Sequence, residues 1–286
     1  VSFRPLPIAL LAAWLLAPGG AAAYPVSTTS DDIPDPGHGE FLTYLTYTGN
    51  NLRVFDGQTY QANPAGSGFQ MVDLWNSVEV GVLADTSLQV IVPATWYRNF
   101  DGNDPAAGVN DVTLAFSRRT WSNDRGSLRS RFRLECPTGN PDLELGAGAW
   151  GIGTDQAVRQ DLGGDWTFTG LLNLVYRSRQ VATNPETGLP VPVWRGLSGN
   201  LNLAIERAFG PVDLSLEWLT GFTTPGETNR EAEPESGFLL GTLSPGITFN
   251  FSPDDILQIA ALATVWRTGW QDTFELGGIL GYCHSW

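Results

Sequence analysis

Over long stretches of this chain, apolar and polar positions alternate one by one. Val212, Leu214, Leu216 and Trp218 interleave with Asp213, Ser215, Glu217 and Leu219, the period-two pattern of a strand with one apolar and one polar face. The same reading holds for Leu197/Gly199/Leu201/Leu203/Ile205 against Ser198/Asn200/Asn202/Ala204/Glu206, and for Leu128/Ser130/Phe132/Leu134 against Arg129/Arg131/Arg133/Glu135. Helix-period segments of any length are missing from the sequence. Continued along the chain, the pattern predicts twelve strands, near 39–48, 69–82, 86–97, 109–120, 126–135, 149–161, 165–178, 196–208, 211–222, 236–250, 254–266 and 274–286. Most are longer than the roughly five or six residues of a strand in a soluble sheet, and they reach the roughly nine to eleven needed to cross a bilayer at a tilt.

The connections sharpen this. Those at 49–68, 98–108, 136–148, 179–195 and 223–235 are long, and 267–273 is moderate. Between them fall tight turns at Leu83 to Asp85, Trp121 to Arg125, Leu162 to Gly164, Phe209-Gly210 and Phe251 to Pro253. Strict alternation of short and long connections predicts an all-β fold, a transmembrane antiparallel up-and-down β-barrel of about 12 strands with short periplasmic turns and longer extracellular loops. A soluble barrel has no reason to sort loop length by end. Trp96, Trp121, Trp150, Trp166, Trp194, Trp266, Trp270 and Trp286 fall near predicted strand ends, where the aromatic girdles of such a barrel lie.

Composition then excludes other classes. Aromatics are 11% and apolar residues 42% of 286 residues, too many for a disordered chain. All 16 basic residues are Arg, and 30 acids bring the net charge to −14, so no nucleic-acid partner is expected. Arg4, the apolar run Ile8 to Ala17, Pro18-Gly19-Gly20 and Ala21-Ala22-Ala23 read as a secretory signal peptide over 1–23, cleaved before Tyr24. The run is too short for a membrane-spanning helix. Residues 24–38 read as a periplasmic lead-in without a binding role, and 39–286 as the barrel.

At the other end, Leu280, Tyr282 and Trp286 resemble the C-terminal assembly signal of bacterial outer-membrane proteins, which implies recognition by the barrel-assembly machinery. His284 departs from that pattern, where an apolar residue is usual. The last strand is expected to close the barrel by pairing with the first, since an open edge in hydrocarbon leaves backbone groups unsatisfied.

The stretches Glu79-Val80-Gly81-Val82-Leu83-Ala84-Asp85-Thr86, Gly108-Val109-Asn110-Asp111-Val112, Pro137-Thr138-Gly139 and Gly164-Asp165-Trp166 resemble recurrent signatures of one group of outer-membrane proteins. These are the transporter barrels of the meta-pathway of phenol degradation, which are similar to the long-chain fatty-acid transporter barrels. The likeness spans roughly 70–180, with Asn110 where Gly is usual and Ala84 where Thr is usual. It implies an outer-membrane channel or facilitator for small hydrophobic or aromatic molecules.

Side-chain parity selects the charges that line the lumen. Arg129, Arg131, Arg133 and Glu135 share one inward face, and Arg119 and Arg177 have the same parity on neighbouring strands. Glu206, Asp213 and Glu217 are expected to point in from across the cylinder, with Asp73 and Glu79 on the second strand. The expectation is a basic wall facing an acidic wall, with a transverse field that orients a solute and sets weak ion selectivity. In the competing arrangement the same charges pair and plug the lumen, because buried charges need compensation.

Other chemistry is sparse. A lipid hydrolase of the outer membrane needs a Ser activated by His near the outer interface, but His38 and His284 both fall at the periplasmic end. No His or Cys cluster has metal-binding spacing, so neither a metal nor a cofactor is expected. Cys136 and Cys283 fall at opposite ends of their strands, on the order of 20 Å apart, which excludes a disulfide. The acidic loop Glu227 to Glu235 could contact lipopolysaccharide through bridging ions or be merely solvated. Outer-membrane lipid and a small-molecule solute are the remaining expected partners. A structural or partner-binding barrel with a plugged lumen stands as the other reading.

Overall fold

The computed structural model of the protein describes residues 33–286 apart from 56–58, 63–68, 100–104, 141–142, 144, 184–189, 195, 229–230, 234–236 and 270–272. The expected signal peptide, its cleavage point, residues 24–32 and Trp270 lie outside the described residues. In chain order the strands are β1 (Gly39–Phe55), β2 (Thr59–Ala62), β3 (Phe69–Leu83), β4 (Thr86–Asn99), β5 (Ala106–Val109) and β6 (Val112–Asn123). There follow β7 (Gly126–Cys136), β8 (Gly151–Gly163), β9 (Trp166–Arg177), β10 (Gln180–Thr183), β11 (Pro190–Trp194) and β12 (Leu197–Phe209). The last six are β13 (Val212–Thr223), β14 (Gly226–Thr228), β15 (Glu231–Glu233), β16 (Phe238–Asn250), β17 (Asp255–Gly269) and β18 (Thr273–Ser285).

Twelve of these form one antiparallel ring in the order β1-β3-β4-β6-β7-β8-β9-β12-β13-β16-β17-β18, closed by β18 pairing with β1. Each begins within three residues of its expected start. Closure is completed at the periplasmic end, where Gly39 and Trp286 exchange backbone N–H···O bonds of 3.1 and 3.0 Å. Gly39 has to be glycine, because a Cβ there would lie 2.4 Å from the Trp286 ring.

The barrel is apolar outside and polar within. Leu74, Val78, Leu88, Val90, Phe116, Phe132, Leu203 and Leu216 are exposed, whereas Ser77, Glu79, Gln89, Ser117, Arg129 and Asn202 on the alternate positions are buried. That inversion suits a wall whose outer face meets hydrocarbon. Trp96, Trp121, Trp150, Trp166, Trp266 and Trp286 all point outward near strand ends. Trp194 instead sits on β11, packed on Tyr176 at 5.9 Å between ring centroids.

The C-terminal residues Leu280, Tyr282 and Trp286 face out as well. His284, the irregular position, has local partners: its Nδ1 lies 3.0 Å from the Asp255 carboxylate, to which the Tyr282 hydroxyl donates at 2.7 Å, and its ring stacks on Trp286. His38 sits at the same end, with Nδ1 3.0 Å from the Trp286 carbonyl oxygen. Both cysteines are free thiols.

The long connections carry further strands that alternation alone does not predict. β2 folds back on the outer part of β1, and β5 adds to β4. β10, β11, β14 and β15 form a separate four-stranded sheet that joins the loops after β9 and β13. The acidic loop is part of that sheet, and its Glu227 accepts a hydrogen bond from Arg179.

Candidate functional site

The lumen is built from one side by β7. Its inward positions are Ser127, Arg129, Arg131, Arg133 and Glu135; Arg129 is paired with Arg119 and Ala157, Arg131 with Ser117 and Asp155, and Arg133 with Ala115 and Gly153. Each arginine therefore has at least one short neighbour beside it, and Arg133 has one on both sides. Space is tight, since a Cβ on Gly151 would come within 2.6 Å of the Glu135 carboxylate.

These charges form one connected chain. The Glu79 carboxylate accepts hydrogen bonds from Arg129 Nη2 and from the Ser87 hydroxyl. Arg129 also donates to Ser117 Oγ at 2.9 Å. Arg131 bridges Glu79 and Asp155 at 3.9 and 3.6 Å, and donates from Nε to Ser117 Oγ at 3.2 Å. Arg133 Nε lies 3.3 Å from Asp155, which also accepts a bond from Asn173. Arg133 reaches Glu135 at 4.0 Å, and Arg177 donates to Glu135 at 2.9 Å and to Ser198 at 2.8 Å. Both contacts of Arg131 to acids exceed hydrogen-bonding distance, so its one hydrogen bond is to the Ser117 hydroxyl.

The expected division into a basic and an acidic wall is corrected by this arrangement. The acids that compensate the arginines, Glu79, Asp155 and Glu135, stand on the arginines' own side of the ring. Half-way round from β7 the inner wall is apolar: Leu42, Tyr44, Leu219, Ala260, Leu262, Ile279 and Cys283 form a buried cluster, with Trp75 and Ile256 packed against it. Burial of four guanidinium groups requires acids at hydrogen-bonding range rather than across a bore.

The remaining candidates are spread over the length of the barrel. Arg119 stands apart, 3.6 Å from Asp85 in the β3–β4 turn at the periplasmic edge. Asp73, towards the outer end, accepts a bond of 2.5 Å from Thr95, which in turn accepts one of 2.6 Å from Asn110. Glu217 is enclosed at mid-height, 1% exposed, with Asn202, Ser244 and Gln258 equally enclosed on the neighbouring strands. Glu206 and Asp213 line the periplasmic end, where Asn250 donates to Asp213 at 2.9 Å. Asp155 and Arg159 were absent from the expected set although both share the inward parity of β8; parity was the signal that could have found them.

Two spaces result. At mid-height a cavity of about 20 Å³, the size of a single water, lies among Glu40, Trp75, Glu79, Gln89, Arg129 and Arg131. Below it a vestibule of about 480 Å³ opens at the periplasmic mouth. Residues 33–38 enter this mouth. The Gly37 N–H donates to the Gly81 carbonyl and the Gly81 N–H to the His38 carbonyl, both at 3.0 Å, and Ile33 is buried. Gly81 permits the approach, because a Cβ there would lie 2.0 Å from the Pro34 carbonyl oxygen.

A closed twelve-stranded ring with a lipid-facing exterior and a polar interior is the fold of bacterial outer-membrane β-barrel proteins. The structure is similar to the crystal structure of an outer membrane channel from Pseudomonas putida F1, with a TM-score of 0.75 and 15% identity over 90% of this chain and 98% of that one. It is also similar to the NanC porin, with a TM-score of 0.50 and 9% identity over 85% and 98% of the two chains. The β domain of the Bordetella autotransporter BrkA matches likewise, with a TM-score of 0.50 and 12% identity over 87% and 99%. At such identities the shared property is the fold, which hosts more than one function. No family model matches the chain, and no curated protein matches it in sequence.

Proposed function

We propose that this protein is an outer-membrane facilitator for the passive uptake of small hydrophobic or aromatic molecules. The observation that carries the reading is the two-faced lumen, with a hydrogen-bonded charge chain on β7 and its neighbours opposite the apolar cluster of β1, β17 and β18. A solute with an apolar body and one polar group finds a partner for each on facing walls. The narrow mid-height space means that transit requires side chains to move, and Arg131, which lines that space, is the one we assign to that movement. The motifs that resemble the phenol-degradation transporter barrels support the same reading.

Several accompanying roles belong to this proposal. Residues 1–23 serve as the signal peptide, removed before Tyr24, and 24–38 as the lead-in to the barrel at 39–286. Leu280, Tyr282 and Trp286 serve the assembly machinery, and outer-membrane lipid and lipopolysaccharide surround the barrel. No catalytic residue is assigned.

The paired charges and the water-sized central cavity also favour a second reading, a plugged barrel with a structural or partner-binding role. Planar-bilayer conductance separates the two. Refolded protein is expected to give small conductance steps that change with Arg131→Glu and with Glu217→Arg. Silence of the wild type and of both variants would overturn the facilitator reading and leave the plugged one.

A further inference from the structure

The periplasmic vestibule has its own chemistry. Its inner end is apolar, formed by Leu42 and Ile256 with Ile33 of the lead-in folded against them. Around this floor stand five carboxylates, Asp35, Glu40, Glu206, Asp213 and Asp254, and one guanidinium, Arg159. Trp286 borders the rim, with its indole laid across Gly39 on the outer face. A concave space of about 480 Å³ suits a small organic molecule. Its carboxylates outnumber its guanidinium groups, unlike the paired charges of the mid-section, so a solute meets different selection at the two levels.

We infer that this vestibule is a binding site for small organic cations, with an aromatic or aliphatic body on the Leu42–Ile256 floor and an ammonium group among Asp213, Glu206 and Asp35. Two features choose this class. An apolar floor takes a hydrocarbon body, which a hydrated inorganic ion lacks. An excess of carboxylates over guanidinium groups in a recess of low dielectric repels carboxylates and attracts ammonium groups. The inference deepens the facilitator reading, and rests on it only for the claim that the cavity lies on a solute path.

The test measures binding without transport. Isothermal titration of the full-length protein in detergent micelles uses benzylamine, benzyl alcohol and benzoate, three ligands of one shape and different charge. Benzylamine is expected to bind most tightly, benzyl alcohol more weakly, and benzoate not at all. The variant Glu206→Gln/Asp213→Asn is expected to lose about tenfold in benzylamine affinity and none for the alcohol. Should that variant not fold, judged by its heat-modifiable migration, the wild type still decides: rising ionic strength must weaken the amine and spare the alcohol. Benzoate binding as tightly as benzylamine, or amine binding indifferent to both the variant and salt, would overturn the inference. Amine binding in a protein that never conducts would sink the facilitator reading alone, and conductance without amine preference would sink this one alone.

Discussion

The two halves of the inner wall solve the same problem differently. On β6, β7 and β8 the interior is filled by arginines and acids that neutralise one another over short distances; on β1, β17 and β18 it is filled by Leu42, Tyr44, Leu262 and Ile279. The charged half has high stakes, because each group that loses its partner remains in a poorly hydrated place. The apolar half is tolerant, since a shortened side chain leaves only a space. The comparison teaches that local pairing, rather than opposition across the lumen, compensates charge in a narrow barrel.

The strongest blow to this comparison is Glu79→Ala, which removes the acid shared by Arg129 and Arg131 and is expected to cost about 3–5 kcal/mol, read by urea unfolding in lipid vesicles. Adding Arg129→Met and exchanging Glu79 for Met instead should restore most of that loss, since an apolar pair of similar volume replaces a buried ion pair at little cost. Failure of the double replacement to recover stability would show that Glu79 has a further role. On the apolar half, Leu262→Ala is expected to cost about 2 kcal/mol in the same assay, at the low end for a buried leucine because water can enter from the lumen. An effect equal to that of Glu79→Ala would erase the distinction between the halves. Smallest is Arg177→Gln, at about 1 kcal/mol, because this outer link of the charge chain is partly wet.

How much of this was legible beforehand depends on the range of the interaction. Strands such as β7 and β13 declare themselves through residue-by-residue alternation, and the tight turns through their brevity, so the ring and its closure followed from the sequence. The loop sheet of β10, β11, β14 and β15 did not, because strands of three to five residues carry too few alternations to stand out. Inward parity was likewise available for Arg129, Arg131 and Arg133. Their partners were not, since Glu79 reaches Arg129 from three strands away in the ring, a distance set by tilt and register that parity does not encode. The apolar cluster was hidden for a related reason. Leu42, Leu262 and Ile279 sit on strands whose two faces are both largely apolar, where alternation gives no direction.

The seam between Gly39 and Trp286 has a consequence for biogenesis. Its bonds clasp residues 247 positions apart, so the ring shuts only once the final hairpin has arrived. Until that moment β1 and β18 each offer a bare edge, the kind of surface on which unfinished sheets stick to one another. A periplasmic escort that shields those two margins, rather than the strands between them, would meet the greatest hazard in the polypeptide's passage to the membrane.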